Sequence, residues 1–104
     1  MLTVDDATFE TQVLGAARPV VVDFWAPWCR PCDAVTETLE ELERSGARAV
    51  FAKLDVDSSP VTAARYDVLS LPTVIVFEDG ETRETIVGAR SREHFERALA
   101  RWLD

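Results

Sequence analysis

The sequence predicts an α/β fold in which four helices flank a central mixed five-stranded sheet, in the order β-α-β-α-β-α-β-β-α. Three observations support this prediction. The segment Val20–Ala26 is almost continuously apolar, which is typical of a strand covered on both faces. Apolar residues recur at helical spacing between Cys29 and Ser45. The pair Asp79-Gly80 predicts a tight hairpin, so the last two strands should be antiparallel neighbours.

Length and composition predict a single domain that spans residues 1–104. Its 47% hydrophobic and 29% charged residues are ordinary values for a globular protein with one core. The net charge of −8 argues against nucleic acid or an anionic membrane as the main partner. No segment has the ~18 consecutive apolar residues of a membrane span, and the acidic N-terminus lacks the features of a secretory signal. We therefore expect a cytoplasmic protein, and we expect it to be a monomer.

The individual elements follow from apolar periodicity and from residues that start or stop helices. Strands are predicted at Leu2–Val4, Val20–Ala26, Arg48–Val56, Thr73–Phe77 and Thr82–Val87. Helices are predicted after Asp5 or Asp6 and up to Pro19, from Cys29 to about Ser45, from Pro60 to near Asp67, and from Ser91 to Leu103. We expect Asp5 or Asp6 to be the N-cap of the first helix and Ser59 to be that of the third.

The two cysteines of the chain, Cys29 and Cys32, lie where the second strand becomes a helix. At a spacing of three residues their Cβ atoms are about 5–6 Å apart in a regular helix. A disulfide needs about 4 Å, so a small adjustment makes both redox states accessible. Closing so short a loop stabilises the fold by only roughly 2 kcal/mol. The position and the small stabilisation favour a redox role over a structural one.

The two thiols should have different roles. Cys29 lies at the helix N-terminus, where unpaired N–H groups and the helix dipole favour a thiolate, so we expect it to be the attacking nucleophile. Cys32 lies one turn further into the helix and should be shielded. It would resolve the mixed disulfide by attacking Cys29 and releasing the reduced substrate.

Other interpretations of the cysteine pair are weaker. A zinc site normally needs four ligands, and His94 is the only additional histidine or cysteine. A cluster shared by two chains, with two cysteines from each, stays open. Two inert buried thiols are the other alternative, against which the neighbouring tryptophans and the helix-start position count.

Asp23 interrupts the apolar second strand and needs an explanation of its own. A carboxylate in such a strand costs free energy unless it is paired, and burial should raise its pKa. A pKa near neutrality suits general acid–base chemistry. The alternative, a hydrated residue at a sheet edge, fits poorly with such an apolar segment.

The chain resembles the thioredoxin family along essentially its whole length. The segments that carry the resemblance are Asp23–Cys29, Pro31-Cys32, Lys53–Asp57, Ala64–Val68, Leu71–Thr73, Phe77–Gly80 and Val87–Ala89. The resemblance implies a thioredoxin fold and a cytosolic reductase of protein disulfides that binds no cofactor. It also implies disulfide-containing protein substrates, and recharging by a flavoprotein thioredoxin reductase that uses NADPH.

The resemblance further implies roles for residues away from the cysteines. Asp23 matches the family's buried carboxylate that exchanges a proton with Cys32, and Lys53 matches its partner. Pro72 matches the family's cis-proline facing the active site. The substrate groove would be lined by Trp28, Arg30, Pro31, Leu71, Pro72, Gly88 and Ala89.

Three positions depart from the family pattern. Arg30 replaces the usual glycine between the cysteines, Asp33 replaces the usual lysine after the second one, and Glu37 replaces a helix-kinking proline. Arg30 should favour the Cys29 thiolate, whereas Asp33 should disfavour a nearby anion. Two alternatives to a reductase therefore stay open: an oxidant or specialised electron donor with an altered potential, and a binding module that uses only the groove.

Overall fold

The computed structural model describes all residues, 1–104. Its strands are β1 (Leu2–Val4), β2 (Val20–Trp25), β3 (Val50–Asp55), β4 (Thr73–Glu78) and β5 (Glu81–Val87). Its α-helices are α1 (Arg30–Arg44), α2 (Pro60–Arg65), α3 (Arg92–Ala98) and α4 (Ala100–Leu103), and Glu10–Leu14 form a π-helical turn. No helix is both long enough and apolar enough to cross a lipid bilayer.

The five strands form one mixed sheet in the order β1-β3-β2-β4-β5. Strand β2 lies at the centre, parallel to β3 and antiparallel to β4. This position explains its continuous apolar sequence, because a central strand covered by helices on both faces has no solvent-facing side. The predicted fold class, a mixed five-stranded sheet flanked by helices, is confirmed.

Alternate residues of β2 face two separate cores. The core beneath α1, α3 and α4 includes Val21, Val35, Leu39, Phe95 and Trp102. The core on the opposite face includes Phe9, Val13, Val22, Phe24 and Phe77. Asp23 shares the face of Val21, so its carboxylate lies beneath α1 and close to the start of that helix.

The first predicted helix is wrong in length and type. The helical turn covers Glu10–Leu14 with Phe9 in helical conformation before it, and the Gly15 N–H donates to the Glu10 carbonyl at 2.9 Å, a bond across five residues. Phe9 and Val13 are nevertheless buried, as the apolar spacing predicts. The segment is anchored by these two side chains, while Gly15 is a weak helix former and ends the turn.

The N-terminus of α2 is capped by a residue far away in the sequence. Asp6 Oδ1 accepts hydrogen bonds from Thr62 N at 2.8 Å and Thr62 Oγ1 at 2.7 Å, and its Oδ2 accepts one from Val61 N at 3.2 Å. Ser59 is the N-cap residue, as predicted, but its hydroxyl instead accepts a bond from Asp6 N at 3.2 Å. Asp6 therefore caps the third predicted helix rather than the first. Asp5 Oδ1 accepts a hydrogen bond from Thr8 N at 2.9 Å, in the turn before Glu10.

The last predicted helix is divided into α3 and α4 at Leu99. Its start is as predicted, since the Ser91 hydroxyl accepts a hydrogen bond from His94 N at 3.1 Å. The predicted hairpin is also present: Asp79 and Gly80 have φ angles of 55° and 77°, the positive values that a tight turn between antiparallel strands requires.

Candidate active site

Cys29 and Cys32 form a disulfide at the carboxyl end of β2, with their Cα atoms 5.4 Å apart. Cys29 is the N-cap residue of α1, and Cys32 N donates a hydrogen bond to the Cys29 carbonyl at 3.2 Å. Cys29 is 5% exposed and Cys32 1%. The outer cysteine is thus at the helix N-terminus and the inner one is shielded, as the spacing predicts.

Trp28 forms the exposed rim of the site. Its side chain is 67% exposed, although its Nε1 donates a hydrogen bond to Asp57 Oδ2 at 2.9 Å. Asp57 lies just after β3, and its own N–H donates to Asp55 Oδ1 at 2.9 Å. A large apolar ring is therefore held in place while it faces solvent. Asp57 could not be recognised as part of this contact from local sequence, because it lies 29 residues from Trp28.

The segment before β4 completes one side of the site. The Leu71–Pro72 peptide bond is cis, as the resemblance implies. Leu71 packs against the small buried cluster of Ala26, Cys29 and Cys32. The Pro72 carbonyl accepts a hydrogen bond from Gly88 N at 2.9 Å, which joins the end of β5 to this segment. The cis-proline segment is thus in contact with both the disulfide and the residues after β5.

Gly88 has a φ angle of 99°, which a residue with a side chain rarely adopts. A Cβ atom there would meet only Arg90 Nε at 3.8 Å, so backbone conformation rather than space selects glycine. Ala89 follows and is exposed, as are Arg30 and Pro31 on the opposite side of the disulfide.

Asp23 lies fully buried beneath α1, with 0% of its surface exposed. The Thr36 hydroxyl donates a hydrogen bond to Asp23 Oδ2 at 2.5 Å, while the buried Oδ1 has no hydrogen-bond partner. Burial raises the pKa of Asp23 to about 6, even though the Thr36 bond and the Lys53 charge act to lower it. The carboxyl group is therefore able to gain or lose a proton close to neutral pH.

Lys53 lies directly opposite Asp23 in the parallel pairing of β2 and β3. It acts on the carboxylate through its charge, since the hydrogen bond to Asp23 comes from Thr36. Its ammonium group lies 5.6 Å from the centre of the Trp25 ring. A second charge, Glu40 on α1, opposes Lys53 and raises the pKa of Asp23.

A cavity of about 310 Å³ opens on the α1 side of the sheet, and two of its lining residues, Thr36 and Lys53, are neighbours of Asp23. Its lining residues are Trp25, Asp33, Thr36, Glu37, Glu40 and Lys53. Sequence reasoning missed Thr36 and Glu40 as members of the site. The spacing could have found them, because they follow Cys32 by four and eight residues and so share its helix face.

The sequence predicts no metal site, because His94 is the only histidine or cysteine besides the cysteine pair. His94 lies on α3 with its ring 6.2 Å from that of Phe95. No three histidine, cysteine, aspartate or glutamate side chains are grouped in a way that could hold a metal ion.

Comparison with known proteins supplies the family. The thioredoxin family model matches residues 1–101. A thioredoxin from Streptomyces clavuligerus is 46% identical over 89 residues, which are 86% of this chain and 83% of that protein. One from Mycobacterium tuberculosis is 46% identical over 100 residues, 95% of this chain and 86% of that protein. The chloroplastic thioredoxin M4 of Arabidopsis thaliana is 42% identical over 94% of this chain and 51% of its own length.

The chain belongs to the thioredoxin family. It is a thiol–disulfide oxidoreductase of the protein-disulfide reductase type, and the Cys29–Cys32 pair is its redox-active disulfide. In this fold three separate segments of the chain lie next to one another around the disulfide. The cysteines lie between the end of β2 and the start of α1, Leu71 of the cis-proline segment packs against them, and Gly88, just after β5, donates a hydrogen bond to the Pro72 carbonyl.

Proposed function

We propose that the reduced chain donates two electrons to protein disulfides in two exchange steps. The Cys29 thiolate attacks one sulfur of the substrate disulfide, forming a mixed disulfide and releasing the other sulfur as a thiolate. The Cys32 thiolate then attacks Cys29, which forms the Cys29–Cys32 bridge and releases the second substrate thiolate. The observation that carries this assignment is that Cys29 is the N-cap of α1, where a thiolate is stabilised, while Cys32 lies inside the first turn.

Asp23 is proposed to take the proton of Cys32 before the second step. Its burial, its pKa of about 6 and its position beneath the start of α1 support this role. A base with a pKa close to the working pH is ionised often enough to accept a proton and acidic enough to lose it again. Lys53 is the proposed partner that keeps part of the Asp23 population ionised.

The substrate is proposed to bind as an extended segment across the rim of the site. Trp28 and Leu71 offer apolar contacts beside the disulfide, and Gly88 allows close approach of a backbone. The remaining residues of the proposed groove are Arg30, Pro31, Pro72 and Ala89. The hydrogen bond from Trp28 to Asp57 supports the proposal, since it holds an exposed ring in the orientation that a partner would meet.

The chain is proposed to be recharged by a flavoprotein thioredoxin reductase with electrons from NADPH, to bind no cofactor itself, and to work as a cytoplasmic monomer. The bacterial relatives named thioredoxin support this assignment. Thioredoxin reductase and disulfide-containing proteins are the proposed partners.

The mechanism is tested by trapping. Cys32→Ser should accumulate a mixed disulfide with a disulfide-containing protein substrate, whereas Cys29→Ser should accumulate none. Wild type should reduce insulin repeatedly with NADPH and a thioredoxin reductase, and both variants should fail to do so. Trapping through Cys32 in the Cys29→Ser variant would overturn the proposed order of attack.

A second candidate function, an oxidant or specialised electron donor, is favoured by Arg30 and Asp33. Both side chains are exposed in the first turn of α1, next to the disulfide. A redox titration distinguishes the two: a potential near the roughly −270 mV typical of thioredoxin supports a reductase, and one well above it supports an oxidant. Retention of the biological role by the Cys29→Ser/Cys32→Ser double variant would instead support a binding module.

A further inference from the structure

The two oxygens of the Asp23 carboxylate lie in different surroundings. Oδ2 accepts the hydrogen bond from the Thr36 hydroxyl, and Oδ1 is buried without a partner. A buried carboxylate oxygen that lacks a donor is costly when ionised. The proton is therefore held most favourably on Oδ1, and Thr36 decides which oxygen remains free for it.

Thr36 is placed for this contact by α1. It lies four residues after Cys32 on the same helix face and is half-buried. A threonine in a helix commonly turns its hydroxyl back to a carbonyl of the preceding turn. Here the hydroxyl instead reaches β2 and bonds the Asp23 side chain. One helix thus carries both the resolving cysteine and the group that orients its proposed base.

We propose that Thr36 is a positioning residue: its hydroxyl occupies Asp23 Oδ2, stabilises the ionised carboxylate and leaves Oδ1 as the oxygen that carries the proton. The inference rests on the proposed proton transfer between Asp23 and Cys32. It adds to that function a residue that acts through Asp23 and does not itself touch the reacting sulfurs.

Each element packed against Asp23 contributes a different influence. Strand β3 presents Lys53, which favours the ionised form, and α1 presents Glu40, which disfavours it. Strand β4 presents Val74 opposite Asp23 and brings no charge. Glu37 and Asp33 line the adjoining cavity, and the Cys29–Cys32 disulfide carries no charge. None of these groups donates a hydrogen bond to the Asp23 carboxylate, whereas the Thr36 hydroxyl does. Removal of that hydroxyl should therefore change the titration of Asp23 more than that of any other group.

The test compares Thr36→Val with Thr36→Ser, because valine keeps the branched shape and serine keeps the hydroxyl. The Asp23 carboxyl titration is followed by its ¹³C chemical shift in the oxidised protein, with Asp23→Asn to assign the signal. Thr36→Val should raise the midpoint by about one pH unit, a tenfold change in the acid equilibrium. Thr36→Ser should stay close to wild type. Thr38→Val, the same change on the same helix, is the matched control and should leave the midpoint of the Asp23 titration unchanged.

An unchanged midpoint in Thr36→Val, or an equal shift in Thr36→Ser, would overturn the positioning role. Thr36→Ala is a second hydroxyl-free variant in case valine disturbs the packing, and it should give the same upward shift. Circular dichroism of each variant checks the fold before titration.

Kinetics separate this inference from the function on which it rests. The pH profile of mixed-disulfide release should move upward with the Asp23 midpoint in Thr36→Val and should flatten in Asp23→Asn. If Thr36→Val shifts the Asp23 titration but neither Thr36→Val nor Asp23→Asn changes the pH profile of release, the proton role of Asp23 is overturned and its positioning by Thr36 is supported. If Asp23→Asn flattens the profile while Thr36→Val leaves titration and profile unchanged, the positioning alone is overturned.

Discussion

Trp28 donates a hydrogen bond to Asp57 across the mouth of the active site, although its ring is the large apolar group that faces solvent beside the disulfide. The bond joins the turn before α1 to the loop after β3. It restricts the ring to one orientation, so less conformational entropy is lost when a partner packs on it. Protein substrates should depend on this bond more than small disulfides do.

Asp57→Ala should therefore raise KM for insulin reduction by roughly threefold, with kcat much less affected, because one exposed hydrogen bond contributes only modestly. Reduction of a small aromatic disulfide, which cannot span the rim, should be nearly unchanged. Ser58→Ala, at the neighbouring position, is the control. An equal loss with both substrates would show that Asp57 acts on the cysteines rather than on the ring.

Burial of Asp23 should make stability depend on pH. Its pKa is about 6 in the folded protein against an ordinary 3.8, so the folded state binds the proton more tightly than the unfolded state. The resulting loss of folding free energy is absent below the unfolded-state pKa of 3.8. It grows as the pH rises from 3.8 to about 6 and is constant above that. The two values correspond to a destabilisation on the order of 3 kcal/mol at neutral pH.

Asp23→Asn should consequently stabilise the oxidised protein by up to about 3 kcal/mol near neutral pH, with the gain disappearing towards about pH 4. Urea unfolding at several pH values measures it. Asp33→Asn, an exposed carboxylate on α1, is the matched control and should change stability little. A gain for Asp23→Asn that is the same at every pH would contradict the explanation by burial.

The capping of α2 by Asp6 predicts a local loss of stability. Asp6→Ala should lower the free energy of unfolding by about 1 kcal/mol, since it removes the acceptor for the first N–H groups of α2. Desolvation acts to raise the pKa of Asp6, but the bonds from Thr62 and Val61 outweigh it and lower the pKa. The contribution is therefore present above pH 3.8 and is lost as pH falls through the lowered pKa.

Hydrogen exchange should show the Asp6→Ala loss concentrated in α2. Asp6→Asn keeps one carbonyl oxygen and should recover part of the stability. Equal protection of α2 in wild type and Asp6→Ala would count against the cap.

Gly88 and Gly46 offer a matched pair for separating backbone strain from function. Their φ angles are 99° and 93°, and an added Cβ meets only one side-chain atom at Gly88 and nothing within 4 Å at Gly46. Both alanine substitutions should cost about 1–2 kcal/mol in stability. Gly46 follows the end of α1, on the order of 20 Å from the cysteines at the rise of a helix. Only Gly88→Ala should also slow insulin reduction. Equal activity of the two variants would show that Gly88 is not part of the substrate groove.

Much of the fold could be predicted from local patterns. The continuous apolar β2, the Ser91 cap and the positive φ angles at Asp79 and Gly80 all follow from residues adjacent in the chain. The π-helical turn and the break at Leu99 could not, because packing against the sheet decides where a short or frayed helix is interrupted.

The order of the elements, the cysteine pair at the start of α1 and the burial of Asp23 can all be read from the sequence, since each depends on spacing and apolar pattern along one segment. The pairs of polar groups that meet are visible only in the folded chain: Thr36 bonds Asp23 across 13 residues, Asp57 bonds Trp28 across 29, and Asp6 bonds Thr62 across 56. These hydrogen bonds join side chains that strand pairing and helix packing bring together. The local sequence around a polar residue does not indicate which distant atom will be its hydrogen-bond partner.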